Sequence, residues 1–300
     1  MKFTGERYIP TDELLNDEIR FEHLHRYHAI TQLVKNKRVL DIACGEGYGT
    51  NIIAGYARNA VGVDIDHESI AHAKKTYGNS NTSFTQGSIT QIPFDDNSFD
   101  FVVSFETLEH VSMNDQHVFL KEIKRVLTSD GVLVMSTPNK HNYSIRYNHY
   151  NKYHLHELSD IEYIDLIKQY FNYQEVFHQG YEIVSVINNL PSEKEPNLAQ
   201  YNLTEEIDKN AEIKRKYLIT IASDVILDDS TKKISSIVAR VNQNYLDLLD
   251  DYIRLIKKNQ KVTYSFDEHS SAENNRSLLI EMIYLDWINL KFHLTRYLQV

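Results

Sequence analysis

The chain has 300 residues, 42% of them hydrophobic, and a formal net charge of −10. That length allows one large domain or a domain with an appendage, with ample apolar content for a packed core. The acidic balance excludes a broad nucleic-acid footprint, which would need a basic surface, and a single cysteine, Cys44, excludes an internal disulfide and fits a cytoplasmic location.

The first residues, Met1-Lys2-Phe3-Thr4-Gly5-Glu6-Arg7, lack the apolar stretch of a signal peptide. No segment reaches the length of a transmembrane span, so any membrane work is expected to be peripheral. Phe21, Leu24, Thr31 and Val34 recur at helical spacing and predict a helix over 21–35. The run from Arg38 to Gly49 then reads as a short apolar strand over 38–42 that leads into a glycine-rich turn. Missing Cβ atoms in such a turn let backbone N–H groups approach a ligand. A second strand, Val61-Gly62-Val63-Asp64, ends in an acid suited to a ribose diol. Gly45, Gly47 and Thr50 lack the third glycine of a dinucleotide fingerprint, and Asp41 would put negative charge where a pyrophosphate lies. Repulsion therefore disfavours NAD and favours a nucleoside cofactor with a cationic amino-acid end. Cys44, inside this loop, reads as a small neutral filler.

Apolar runs at 60–65, 100–105 and 131–136 alternate with helical stretches, the pattern of an α/β, doubly wound parallel sheet with helices on both faces. Asp130-Gly131 is a turn signal, and Thr137-Pro138-Asn139 stops the following strand, so residues after Pro138 should face substrate. Ser159 with Glu162 forms a capping box for a helix over 159–171, which leads to a strand near 173–187. A polar stretch at 188–214, with Pro191 and Pro196, precedes the strand-like run Tyr217 to Ala222, read as the last strand. The stretch is then an insertion, either a lid or a solvated loop, and the first domain covers 1–228. Beyond it, Ile234, Val238, Val241, Tyr245, Leu248, Tyr252 and Leu255 follow heptad spacing, and Leu278, Met282, Leu285 and Phe292 continue a helical pattern. Residues 229–300 are therefore expected to form a helical appendage, a coiled coil or helical hairpin, that self-associates, docks a partner or packs on its own domain.

The segment from Asp41 to Gly49, with Asp64, Gln86-Gly87-Ser88-Ile89, Ile92-Pro93-Phe94 and Phe99 to Ser104, resembles the class I S-adenosylmethionine (SAM) dependent methyltransferases. The resemblance implies a Rossmann-like seven-stranded sheet, SAM as cofactor and S-adenosylhomocysteine as product. It assigns cofactor binding to Asp41, Ala43, Gly45, Gly47, Asp64, Ile65, Ser88, Ile89, Ser104 and Phe105. Ser88 stands where the family usually has an acid, and its hydroxyl can still bond the adenine amino group. In this resemblance an N-terminal segment closes over the cofactor. It carries Tyr8 and also Arg26, which is placed to pair with the SAM carboxylate.

Further segments, Gly5 to Pro10, Glu22 to Tyr27, Ser104 to His110 and Asn151 to Leu158, resemble a bacterial subgroup found with glycosyltransferases of surface-polysaccharide synthesis. This implies O-methylation of a sugar hydroxyl on a glycan, lipid-linked saccharide or nucleotide sugar, with a glycosyltransferase as one partner for 229–300. The motif core fits a quinone, lipid or other small-metabolite methyltransferase equally, and a non-catalytic scaffold is the third reading. A hydroxyl acceptor benefits from a nearby base; His110, then His154, then Glu106 are the candidates. The pairs His23-x-His25 and His154-x-His156 have the wrong spacing for a helix-borne chelate, so no metal is expected.

Overall fold

The computed structural model describes residues 17–146, 148, 150–180 and 216–227, all within the unit Met1–Ser236. Tyr8, the 188–214 insertion and the 229–300 appendage lie outside the described residues, as does the predicted strand beyond 180.

In chain order the elements are α1 (Asp17–Ala29), β1 (Arg38–Ile42), α2 (Tyr48–Ala54), β2 (Asn59–Asp64), α3 (His67–Tyr77), β3 (Thr82–Gln86), β4 (Phe99–Phe105), α4 (Met113–Val126), β5 (Leu127–Pro138), α5 (Asp160–Lys168), β6 (Tyr173–Gln179) and β7 (Tyr217–Ser223). They build one seven-stranded sheet in the order β3-β2-β1-β4-β5-β7-β6. Strands β1 to β5 are parallel, and β7 runs antiparallel between β5 and β6. The apolar runs become strands because successive side chains alternate between the two faces of the sheet. Leu40, Ile42, Val102, Leu133, Met135 and Leu218 join the α4 and α5 side chains in one core. Val39, Phe101, Val103, Val134, Ile219 and Ile221 face the other way, against Tyr27, Ile30 and Ile53 from the α1–α2 side. Doubly covered strands of this kind read as nearly continuous apolar runs.

Local signals fix the helix ends. Asp66 caps α3 by accepting from the Glu68 and Ser69 amides, and Ser112 caps α4 by accepting from the Asp115 amide. The expected capping box of Ser159 and Glu162 is present at α5. The first helix stops six residues short of the predicted 35, at Ala29. Its apolar spacing continues through a turn in which Thr31 Oγ1 donates to the His28 carbonyl, and Asn36, at φ 61°, reverses the chain into β1. Ile30 and Val34 remain buried there, so the periodicity was a burial signal without being a helix signal. The Asp130-Gly131 turn is an interruption inside β5: Leu127 pairs with Phe99 and Val132 with Phe101, so the residues between them bulge from the ladder.

Buried Glu22 of α1 accepts from Lys216 Nζ at 2.7 Å and from the Tyr217 hydroxyl at 2.8 Å, which ties the first helix to β7. Breaking one partner of such a buried pair leaves an uncompensated charge.

Candidate cofactor and acceptor site

In an open α/β sheet, ligands bind beyond the C-terminal strand ends where the strand order reverses. Here β1 lies between β2 and β4, so the reversal puts the loops after β1 and β4 side by side. The loop after β1 holds Ala43 to Gly47, and the one after β4 begins at Glu106. Both contain non-glycine residues in the left-handed region, Ala43 at φ 63° and Glu106 at φ 53°. Strain of this kind persists where surrounding structure enforces it, commonly at functional sites.

The three glycines of the turn have different jobs. A Cβ on Gly45, at φ +55°, would meet nothing within 4 Å, so its missing side chain opens onto ligand space. A Cβ on Gly47 would lie 2.6 Å from Phe84, and one on Gly49 only 2.0 Å from the Tyr27 ring. Those two glycines therefore serve packing. Tyr27, pressed on α2, donates to Asp41 at 3.2 Å, and Thr50 donates to the same carboxylate at 2.6 Å. Burial first, and then the Asp64 charge, push the Asp41 carboxyl up to about 7. The thiol of Cys44 is buried and its pKa is driven up by that burial, in keeping with a filler.

Asp64 is positioned by its own loop: Oδ2 accepts from the Gly45 amide at 2.8 Å and Oδ1 from the Asp66 amide at 2.9 Å. Next to it, Ile65 is 70% exposed, an apolar surface beside a held carboxylate. Ser88, half-buried, accepts from the Thr90 amide and shares a 2.8 Å bond with the Thr90 hydroxyl, and Ile89 packs against the core. A cleft of about 820 Å³ starts at Gly87 and Ser88 and runs outward past Pro93 to Arg125, without including Asp41 or Asp64. The Ser104 hydroxyl is buried and has no hydrogen-bond partner among the described residues, and the Phe105 ring packs edge-on against Tyr27 at 5.0 Å. An anchored diol acceptor, an open glycine and an exposed apolar neighbour fit an adenosine-bearing cofactor. Asp41 beside them favours one with a cationic end.

Arg26 is buried, its guanidinium stacked 4.8 Å from the Tyr217 ring centroid. One nitrogen donates to Gln179 Oε1 at 2.7 Å and lies 3.8 Å from Glu106, while Nε and the other terminal nitrogen have no hydrogen-bond partner among the described residues. Two unsatisfied donors on a buried cation fit a carboxylate.

Of the predicted bases, His110 and His154 come together, with ring centroids 5.0 Å apart in an edge-to-face arrangement. Glu106 faces elsewhere: it accepts from Ser136 Oγ at 2.6 Å and points at Arg26. The carboxylate that joins the histidines is Glu109, which received no role from sequence. It is 1% exposed, accepts from Thr137 Oγ1 at 3.0 Å and lies 3.7 Å from His110 Nε2. Burial, and then the Glu106 charge, push its carboxyl up to about 8. The signal was present in Glu106-x-x-Glu109-His110, but only the fold shows which acid turns inward. One ligand atom from each of Glu109, His110 and His154 lies within 4.8 Å of the others. The spacing argument against a metal considered pairs close in sequence, whereas this group draws on two separate segments.

Residues 40–135 match the family model described as a methyltransferase domain. The sheet order and flanking helices are those of the class I, Rossmann-like methyltransferase fold. Over 168 residues the chain is 35% identical to a probable S-adenosylmethionine-dependent methyltransferase of Mycobacterium tuberculosis, covering 56% of this chain and 60% of that protein. It is 32% identical over 127 residues to a fatty-acid O-methyltransferase of Mycolicibacterium smegmatis, covering 41% of this chain and 45% of that protein. The chain thus spans about 60% or less of the length of these relatives. Its fold is shared with the PH0226 protein of Pyrococcus horikoshii OT3, at a TM-score of 0.52 and 21% identity, over 72% of this chain and 96% of that one.

Proposed function

We propose that the protein methylates an oxygen of a lipid or other small-molecule acceptor, with SAM as methyl donor. When bound, SAM supplies an activated methyl group on a sulfonium. The residues of this chain then have three tasks: to hold the nucleoside, to neutralise the amino-acid end, and to prepare the acceptor oxygen. Asp64 and Gly45 serve the first, with Ile65, Ser88 and Ile89 at the base. Asp41 and Arg26 serve the second, one for the ammonium and one for the carboxylate. Glu109, His110 and His154 serve the third, because the acceptor must lose a proton and these groups crowd the segment after β4. Positioning supplies most of the rate in such a transfer.

The observation that carries the acceptor class is the exposed apolar side chains of the segment after β5. Ile145 is 60% exposed, Tyr150 83% and Leu155 68%, all in the stretch after β5 that also delivers His154. Exposed apolar side chains in the segment that carries His154 suit an acyl or ring-bearing acceptor better than a bare sugar, and the similarity to a fatty-acid O-methyltransferase supports this reading. Among the described residues no helix is long and apolar enough to cross a membrane. The sugar-hydroxyl reading rests on the flanking segments that resemble the polysaccharide-associated subgroup, and it stands second.

The test is an acceptor screen with methyl-labelled SAM. Fatty acids, prenylated phenols and lipid-linked saccharides are offered in parallel. Label in a fatty-acid ester or aryl ether supports the proposal; label only in the saccharide moves the assignment to the second reading.

A further inference from the structure

We propose that Glu109, His110 and His154 form a binding site for a divalent first-row transition-metal ion, with an open position for an acceptor oxygen. The site itself rests on side-chain geometry alone; its link to the acceptor rests on the methyl-transfer reading above.

The argument begins with hydrogen-bond polarity. His110 Nδ1 lies 3.1 Å from the Tyr153 carbonyl. A carbonyl only accepts, so Nδ1 carries a proton, and in the neutral ring the lone pair is then at Nε2. That lone pair faces Glu109 Oε1 at 3.7 Å. A cation placed between this nitrogen and the buried Glu109 carboxylate would take a lone pair from each. His154 is prepared in the same way. Its Nδ1 lies 2.5 Å from Glu157 Oε1, a carboxylate that fixes the tautomer and leaves Nε2 as the ligating atom. Imidazoles held by a carbonyl and by a carboxylate through their other nitrogen are the usual outer support of metal-bound histidines.

The dimensions are close to what an ion needs. Bonds of about 2.0–2.1 Å around a tetrahedral ion place neighbouring ligands about 3.4 Å apart. Here the Glu109–His110 separation is 3.7 Å and all three ligand atoms fall within 4.8 Å. Side-chain adjustment closes the difference, and Asn151 Nδ2, 2.9 Å from His154 Nε2, is the group the ion would displace. Two imidazoles and one carboxylate suit Zn²⁺, Mn²⁺, Fe²⁺ or Co²⁺ better than Mg²⁺ or Ca²⁺. Three protein ligands leave a coordination position for substrate, and the His110 side chain, 34% exposed, marks the side from which it enters. An ion there would lower the pKa of a coordinated acceptor oxygen, the same task assigned above to the bare cluster.

The test uses the full chain after chelator treatment, titrated with Co²⁺ and followed by its visible absorption, with Zn²⁺ and Mn²⁺ by equilibrium dialysis. One ion per chain is expected. Glu109→Gln and His154→Asn should abolish saturable binding, and Glu157→Gln should weaken it about 10- to 100-fold. Asp64→Ala should keep the ion while weakening SAM binding, so a failed methyl-transfer reading is distinguishable from a failed metal site. His156→Asn, a residue hydrogen-bonded to Gln116, should leave ion binding unchanged. No saturable uptake by folded wild-type chain, or equal uptake by every variant, would overturn the site. Methyl transfer lost on chelation and restored by added ion supports the acceptor role, and transfer indifferent to chelator overturns that role.

Discussion

The Thr50 hydroxyl, in the first turn of α2, donates to the Asp41 carboxylate at the end of β1 across 2.6 Å. With the Tyr27 hydroxyl on the same group, this bond holds the glycine-rich turn between strand and helix. Burial, and then the Asp64 charge, nevertheless raise the Asp41 carboxyl to about 7, against the lowering effect of these two bonds.

Cofactor affinity should therefore depend on pH. The folded pKa of Asp41 lies above its unfolded value, so the stability from its bound proton is fully present below about pH 3.8 and is lost as pH rises toward 7. A cationic ligand favours the ionised form and must expel that proton below pH 7. SAM affinity should rise by up to about tenfold per pH unit toward 7 and then level off. Calorimetry in buffers of different ionisation enthalpy reads the released proton, and Asp41→Asn should flatten the profile. A flat wild-type profile would remove Asp41 from contact with the cofactor's charge.

Asp64→Ala should weaken SAM binding by about 1.5–3 kcal/mol, the worth of a charge-assisted hydrogen bond. Because Asp64 also accepts from the Gly45 and Asp66 amides, the alanine variant should lose thermal stability as well. Asp64→Asn, which retains one acceptor oxygen, should lose less. Unchanged SAM affinity in both variants would mean that the ribose lies elsewhere.

The glycines should separate by phenotype. Gly49→Ala drives a methyl into Tyr27 and should cost about 1–3 kcal/mol or more of stability through overpacking. Gly45→Ala meets no protein atom and pays about 1–2 kcal/mol for its left-handed backbone. Its larger effect should be on SAM affinity. Thermal melts beside SAM titrations distinguish the two; similar binding losses from both would contradict the division of labour.

His110→Ala should lower kcat by about 10²- to 10⁴-fold while the Kd for SAM stays nearly constant. Single-turnover rates and equilibrium binding on the same preparation check this. Equal losses in both would make His110 a cofactor-binding residue.

Much of this was legible before any coordinates. The apolar runs located β1, β2, β4, β5 and β7 because strands covered on both faces leave no polar alternation to blur them. The acids Asp41 and Asp64 mark the C-terminal ends of β1 and β2, beside the point where the strand order reverses. Pairing was less legible: nothing in Tyr217 to Ala222 says that it inserts antiparallel between β5 and β6. Burial was less legible still. Arg26 reads as one polar position of a helix, yet it stacks on Tyr217, a residue from the far end of the described chain. Glu109 and Glu106 look equivalent in sequence, and a left-handed backbone at Glu106 turns one toward Arg26 and leaves the other with the histidines.

The most direct measurement is calorimetric titration of the purified chain with SAM, S-adenosylhomocysteine and NAD. The account predicts saturable one-to-one binding of the first two and none of NAD. Binding of NAD in their place, or no binding of either adenosyl ligand by a folded sample, would contradict it.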